Sequence, residues 1–326
     1  MKAIVHTQYG PPDVLQLKDV ATPVPTEDEV LIKLYAASVN PLDFHLMRGE
    51  PFPLRLMGLG LITPKHTALG ADIAGRVESV GRHVKQFQPG DEVFGRARVG
   101  GFAEYVCVTE DELALKPANI SFEAAAAVPI AAITALQGLR DKGLIQSGQK
   151  VLVDGASGGV GTFAIQIAKS FGAEVTAVCS RRNVDTARSI GADHVIDYTR
   201  ENFTRSGQRY DLIIAANAHH SIFDYRRALS QDGVYVMAGG GLVQALQTML
   251  VGPLLSRIGS KKMRFYIANI NKKDLDLLKD LLEAGKVIPV IDRRYPLSGV
   301  ADAFRYLEAG HAQGKVVITI GHSNDT

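Results

Sequence analysis

Lys150-Val151-Leu152-Val153-Asp154-Gly155-Ala156-Ser157-Gly158-Gly159-Val160-Gly161 is the stretch on which the reading of this chain turns. Its first five residues are a short apolar run of the kind that makes a buried parallel strand, and the glycines behind it let the backbone turn tightly. From Gly159 to Phe171 the spacing sets Val160, Phe163, Ala164, Ile167, Ala168 and Phe171 on one helical face, and Gly172 stops the helix. A second strand follows at Glu174 to Cys179, about 20 residues on, as a dinucleotide fingerprint requires. In that setting glycine lets the backbone approach a pyrophosphate, whose charge meets the free amides at the helix N-terminus. Gly155, Ala156, Ser157, Gly158, Gly159 and Val160 are the expected contacts. A Walker loop needs Gly-Lys-Ser/Thr, and Gly161-Thr162 has no lysine; a merely structural turn is the competing reading.

The end of the second strand selects the dinucleotide. NAD-selective sites place Asp or Glu there for the ribose 2′-hydroxyl, whereas this chain has Cys179-Ser180-Arg181-Arg182-Asn183. A guanidinium fork holds a 2′-phosphate bidentately while Ser180 donates a hydrogen bond, so NADPH is the expected cofactor. Asp185 lies too far into the next helix to reverse this, and a solvated basic loop is the alternative.

Working outward, the pattern continues with a helix over Val184 to Ile190 ending at Gly191, then strands at His194 to Asp197, Asp211 to Ala215 and Gly233 to Met237. Strand and helix in repetition predict a doubly wound parallel sheet with right-handed crossovers. Further on, helices are expected over Asp274 to Ala284 and over Ser298 to Glu308, with Ser298 as N-cap and Gly310 behind, and a final strand over Lys315 to Ile320. The polar tail from Gly321 is expected to fray. Before residue 120 the chain reads differently. Val30 to Ser38, Asp72 to Val80, Asp91 to Phe94 and Phe102 to Val108 are short β segments separated by Gly81, Pro89-Gly90-Asp91 and Gly100-Gly101. With no helical run among them, they predict a small barrel or sandwich.

The 326 residues exceed what one core usually carries, so two domains are expected, and 46% hydrophobic with 21% charged residues excludes disorder. Lys and Arg number 36 against 34 Asp and Glu, and the resulting +2 gives no electrostatic case for a nucleic-acid or membrane-surface protein. Only Cys107 and Cys179 occur, too few for a disulfide framework or a four-thiolate zinc site, which fits a reducing, cytoplasmic setting. Gly241 to Ile258 is the longest apolar stretch, but Gln244, Gln247, Pro253 and Arg257 interrupt it short of a membrane span.

A set of ordered motifs runs through the whole chain: Ala37-Ser38-Val39-Asn40-Pro41-Leu42-Asp43-Phe44, Arg48-Gly49, Leu69-Gly70-Ala71-Asp72-Ile73-Ala74-Gly75-Arg76-Val77, Gly90-Asp91-Glu92-Val93-Phe94-Gly95, Gly101-Phe102-Ala103-Glu104-Tyr105, Gly155 to Gly161 and Gly314-Lys315-Val316-Val317. In these motifs the chain strongly resembles the zinc-independent medium-chain dehydrogenase/reductases of the quinone oxidoreductase type. The resemblance implies an α/β architecture: a GroES-like β-barrel catalytic domain over residues 1–123, rejoined by 269–326, and a Rossmann doubly wound parallel-sheet domain over 124–268, with nicotinamide and substrate meeting in a cleft between them. It also implies a homodimer. Zinc enzymes of the superfamily hold their metal with Cys, His and a further Cys or acid, whereas the matching positions here are Asn40 to Asp43 and Gly70-Ala71-Asp72. Lone His45 and His66 do not replace such a set, so no metal is expected.

Without a metal, hydrogen-bond donors must polarise the acceptor oxygen, and a quinone or activated alkene needs less such help than a plain ketone. Asn40 is the candidate to orient the substrate or the nicotinamide ribose, with Asp43 its neighbour; a structural Asn-Pro turn is the alternative. By resemblance Thr134 lies near the nicotinamide ribose and Phe265-Tyr266-Ile267 forms the strand passing the nicotinamide, while Tyr198 flanks the adenosine or is an ordinary surface tyrosine. Asn217, Gly239 and Lys315 complete the cofactor set. The proton-donating Tyr of the family's enoyl reductases has no counterpart between Arg48 and Thr63. Two apolar loops, Pro51 to Ile62 and Leu242 to Ile258, suit a small hydrophobic acceptor, or else packing within or between subunits. The expected activity is hydride transfer from NADPH to a quinone or other conjugated carbonyl. The alternatives are alkenal or enoyl double-bond reduction, and an NADPH-binding redox sensor or partner protein with little turnover.

Overall fold

The computed structural model describes residues 1–52 and 55–322. Pro53 and Leu54 of the apolar Pro51 to Ile62 stretch, and the tail from residue 323 where fraying was expected, lie outside them. In chain order the strands are β1 Lys2–Val5, β2 Gln16–Asp19, β3 Glu29–Val39, β4 Asp72–Val80, β5 Glu92–Arg96, β6 Tyr105–Thr109, β7 Leu113–Leu115, β8 Lys150–Asp154, β9 Glu174–Cys179, β10 His194–Asp197, β11 Tyr210–Ala215, β12 Leu229–Met237, β13 Lys262–Phe265, β14 Ile291–Pro296 and β15 Lys315–Thr319. The helices are α1 Pro41–Arg48, α2 Phe122–Ala126, α3 Pro129–Gln137, α4 Gly159–Ser170, α5 Val184–Ser189, α6 Ile222–Ala228, α7 Leu242–Leu250, α8 Gly252–Arg257, α9 Lys272–Glu283 and α10 Val300–Glu308. Two compact units result: Met1–Ile130 with Ile270–Glu283 and Pro289–Thr326, and Ala131–Asn269 with Ala284–Ile288.

In the first unit a mixed sheet runs β14-β15-β3-β4-β5-β7, and β6 also pairs with β3. β3, eleven residues long, serves two partners in succession: β6 along Glu29 to Lys33 and β15 along Ala36 to Val39. Ile32, Leu34, Ile73, Phe102 and Phe304 are fully buried in the core of this unit. Phe102 meets Phe304 of α10 edge-on, ring centroids 5.9 Å apart, a geometry that aromatic quadrupoles favour.

The second unit holds a six-stranded sheet in the order β10-β9-β8-β11-β12-β13, every pair parallel. Counted from β8 this is the order 3-2-1-4-5-6 of a doubly wound dinucleotide fold, whose ligands sit beyond the carboxyl ends of the strands where the order reverses. The reversal falls at β8, between β9 and β11. Residues Gly161 to Ala168 of α4 are all buried, as expected for a helix packed tightly against the sheet.

Strands stand where the periodicity placed them at Lys150–Asp154, Glu174–Cys179 and His194–Asp197. Other elements differ. The first unit does contain a helix: Asn40 caps α1, Pro41 pre-sets its first turn, and Gly49 at φ 61° ends it. Ser298 is not an N-cap, because a 3-10 turn over Leu297–Gly299 leads into α10. The Leu242 to Ile258 stretch is not a loop but α7 and α8, and β13 ends at Phe265, before Tyr266 and Ile267.

Candidate functional site

The nucleotide loop begins where β8 ends. Gly155 sits at φ +78°, and a Cβ there would lie 2.7 Å from the Cβ of Asn217, in the turn after β11. Gly161 packs so closely on that turn that a Cβ would meet the Gly155 carbonyl oxygen at 2.1 Å. Gly158 differs, because its Cβ direction is open, with the nearest atom 3.6 Å away. One glycine thus turns the chain, one lets helix and strand approach, and the third leaves space in front of the helix. Thr162 N–H is the first to bond back into α4, at 3.0 Å to Gly158 O. The amides before it have no intrahelical acceptor by construction and face the positive end of the helix dipole.

The other expected cofactor residues of this unit line the same edge of the sheet. Ser180 follows β9, Tyr198 follows β10, Asn217 follows β11, Gly239 follows β12 and Phe265 ends β13. Gly239 N–H donates to Ala215 O at 3.0 Å and Ala218 N–H to Gly239 O at 2.9 Å, which ties the turns after β11 and β12 together. Ser180 Oγ accepts from Asn183 Nδ2 at 3.2 Å. Both Arg181 and Arg182 are exposed. Thr134, in α3, is buried, and its carbonyl accepts from the Tyr266 hydroxyl. Gln137 exchanges two hydrogen bonds with the Asn269 backbone, at 2.6 and 3.0 Å, so α3 and the segment behind β13 hold each other.

Beneath the loop lies a network that periodicity did not reveal. The buried Asp154 carboxylate accepts from the Tyr225 hydroxyl at 2.5 Å, with His219 Nδ1 3.8 Å away. Burial pushes Asp154 up to about 6, against the opposing pull of His219, the Tyr225 O–H and the Gly155 N–H. An acid that ends an otherwise apolar strand was the available signal, since such a group stays buried only with partners.

Asn40, Asp43 and Lys315 meet in the first unit, around the buried Ser38 and Asp72. Asp72 Oδ2 accepts from Ser38 Oγ at 2.8 Å, Asn40 Nδ2 at 2.9 Å and Lys315 Nζ at 3.1 Å, while its Oδ1 accepts from Ile130 N–H at 2.9 Å. Lys315 Nζ also donates to Asn40 Oδ1 at 2.6 Å, and Asn40 Nδ2 reaches Ser38 O at 3.3 Å. Both amide hydrogens of Asn40 are thereby used inside the protein, and its Oδ1 is already an acceptor for Lys315. Asp43 Oδ2 accepts from Asn40 N–H at 2.8 Å. Burial pushes the Asp43 carboxyl up to about 7; that N–H opposes the rise and nearby Asp72 adds to it. Lys315, expected at the cofactor, therefore stands in a buried ion pair with Asp72, a residue first noted only for its place in a motif. A lone lysine opening the apolar run Lys315–Thr319 was the readable sign of a buried partner.

Two family models match the chain: an alcohol dehydrogenase GroES-like domain over residues 26–118 and a zinc-binding dehydrogenase over residues 190–318. The chain is 41% identical to a 2-methylene-furan-3-one reductase of Solanum lycopersicum, over 98% of this chain and 79% of that one. It is 38% identical to a chloroplastic NADPH-dependent alkenal/one oxidoreductase of Arabidopsis thaliana, with the same two coverages, 98% and 79%. Among solved structures, the quinone oxidoreductase from Coxiella burnetii superposes with a TM-score of 0.85 at 31% identity, covering 98% of this chain and 99% of that one. The residues at the zinc-ligand positions do not fit that metal. They offer neither thiolate nor imidazole, Asp72 is occupied by four donors, and among the described residues no group of three or more His, Cys, Asp and Glu is placed to hold an ion.

Proposed function

We propose that this chain, which belongs to the zinc-independent medium-chain dehydrogenase/reductases of the quinone oxidoreductase type, is a reductase passing hydride from NADPH to a quinone or another conjugated carbonyl compound. The observation that carries the reading is the open Gly158 at the strand-order reversal, flanked by two glycines that tolerate no side chain. NADPH held there supplies the hydride. Around it Gly155 to Val160 bind the pyrophosphate, Ser180, Arg181 and Arg182 take the 2′-phosphate, and Thr134, Tyr198, Asn217, Gly239 and Phe265 border the rest. The relative from Arabidopsis thaliana, NADPH-dependent by name, supports that cofactor.

On the acceptor side, Asn40 is the residue that orients the acceptor or the nicotinamide ribose. Lys315 and Asp72 act as positioning residues that hold its amide, and the Asp43 carboxyl holds a proton near neutral pH. Conjugation spreads the charge developing on the acceptor, so such donors suffice without a metal. The two relatives named for furanone and alkenal/one reduction favour a second form of the same reading, in which the hydride goes to the carbon–carbon double bond. Free Cys107 and Cys179 support a reducing, cytoplasmic setting, and the family supports a homodimer.

NADPH oxidation by the purified, metal-free protein against quinones, enones and saturated aldehydes, with NADH in parallel, tests the proposal. Turnover of quinones or enones with NADPH is the expected result, and product analysis then separates carbonyl from double-bond reduction. NADPH binding without turnover on any acceptor would refute it in favour of a sensor.

A further inference from the structure

Two rings meet over the carboxyl edge of the parallel sheet. Tyr198 follows β10 and His219 lies in the turn after β11, three strand spacings apart in the order β10-β9-β8-β11. Neighbouring strands lie about 4.8 Å apart, so the two strand ends are separated by roughly 14 Å. The ring centroids are nevertheless 6.5 Å apart. The backbone leans the same way, with Tyr198 N–H donating to Cys179 O of β9 at 3.1 Å and Ala216 N–H to Asp154 O of β8 at 2.8 Å. The rings therefore stand over the ends of β8 and β9, half-exposed, beside the Gly155 turn and Ser180.

His219 is held from behind. Its Nδ1 faces inward, 3.1 Å from Asn217 O and 3.8 Å from Oδ2 of the buried Asp154. Its backbone N–H donates to the Tyr225 hydroxyl at 3.3 Å, which itself donates to Asp154, and Gln244 of α7 donates to His219 O at 3.3 Å. With Nδ1 committed inward, the ring presents Nε2 to the crevice. The other titratable groups around it are His220, with its ring centroid 4.2 Å away, and Tyr198. Behind them Tyr235 of β12 stacks on Tyr225, and Asp224 of α6 is engaged by Ser221 and Arg227.

A buried carboxylate behind an imidazole fixes the orientation of the ring, and its charge favours the protonated form, whose Nε2–H donates to an anion. Burial lifts Asp154 to about 6 against the pull of His219, so near neutral pH the carboxylate is an anion that attracts the imidazole proton. The negative charge that a dinucleotide brings to this edge is its pyrophosphate, which the adjoining glycine loop is shaped to take. We propose that His219, backed by Asp154 and Tyr225, is a contact of the cofactor site that binds the adenosine diphosphate half of the dinucleotide in its protonated form. The inference rests on the NADPH reading above. It adds a residue serving the half common to NADPH and NADH, where Arg181 and Arg182 serve the 2′-phosphate alone. Asp154 and Tyr225 act through His219 as positioning residues.

Fluorescence titration of the full chain with NADH from about pH 5.5 to about pH 8.5, with NADPH in parallel, tests the proposal. NADH is the cleaner probe, because it lacks the 2′-phosphate, which titrates near pH 6 by itself. Affinity should fall by up to about tenfold as pH rises and the imidazole loses its proton. His219→Gln should fold as the wild type does by circular dichroism, since the side chain is half-exposed. It should bind both dinucleotides about tenfold more weakly near pH 6, as expected for one charge-assisted hydrogen bond, and should lose the pH slope. Asp154→Asn keeps an acceptor for the Tyr225 hydroxyl but removes the charge, and should move the slope to lower pH. Unchanged NADH affinity in His219→Gln, a loss confined to NADPH, or the same slope in that variant and the wild type would overturn the inference and leave the reductase reading standing. The expected slope without turnover on any acceptor would support the inference and sink the reductase reading instead, and a wild type that binds neither dinucleotide would overturn both.

Discussion

Replacing Asp43 by Asn isolates the cost of a buried carboxyl at the candidate site. Burial raises the Asp43 pKa from the ordinary 3.8 to about 7. The unfolded chain therefore ionises this group at low pH while the folded chain holds its proton. A raised carboxyl pKa favours the fold at low pH, and that contribution is lost as pH climbs from about 4 to about 7, at about 1.4 kcal/mol per pH unit. Over the whole interval of about three units the loss amounts to about 4 kcal/mol. Asn at this position never ionises, and its Oδ1 can still accept the Asn40 N–H that Asp43 Oδ2 now accepts at 2.8 Å. The variant should thus gain on the wild type as pH rises, by about 3 kcal/mol between pH 5 and pH 7, and hold that gain above pH 7. Urea unfolding from pH 4.5 to 8.5, read through amide exchange of β3 and β4, measures the difference for the first unit alone. A difference flat across pH, or one that grows as pH falls, would refute the protonated Asp43. The latter slope would mean that Asn40 and Lys315 stabilise the carboxylate more than burial penalises it.

Other expectations concern the loop and the ion pair. Gly161→Ala should cost about 1–3 kcal/mol, because its Cβ has only backbone to displace, and a drop in melting temperature checks it. Gly158→Ala should fold with a loss of at most about 1 kcal/mol at the helix cap, yet bind NADPH at least tenfold more weakly by fluorescence titration. Unchanged affinity would count against the pyrophosphate site. Arg181→Ala with Arg182→Ala should weaken NADPH at least tenfold while sparing NADH, given about 1.5–3 kcal/mol for each charge-assisted hydrogen bond; equal losses would contradict the 2′-phosphate assignment. Lys315→Met should destabilise the first unit by about 3–5 kcal/mol, since it leaves Asp72 buried without its cation, whereas a loss within about 0.5 kcal/mol in urea would show the pair to be dispensable.

How far the sequence could be read depended on the range of the forces involved. The Val151 to Val153 run, the glycine turn and the spacing of Phe163, Ala164 and Ile167 are local signals, and the strand and helix they predicted are present at β8 and α4. The helix α1 was equally local, with Asn40, Pro41 and Gly49 at its ends, but it escaped notice because only eight residues separate its caps. Other features had no local signature. In α7 the apolar spacing establishes amphipathy, yet nothing in the spacing says which face turns inward. Its polar face turns inward because of partners brought by α6 and β12, the Ile222 N–H and the Met237 sulfur.

By itself, then, the chain determined the doubly wound sheet and the dinucleotide loop, because period, turn chemistry and capping act within a few residues. Tertiary structure alone decided the buried polar sites. Lys315 meets Asn40 across 275 positions and Asp72 across 243, and Tyr225 meets Asp154 across 71. Such pairings follow from strand order and burial: once the apolar faces have closed, a polar group must take whichever partner the fold delivers, since leaving it unpaired costs more than any local preference can repay.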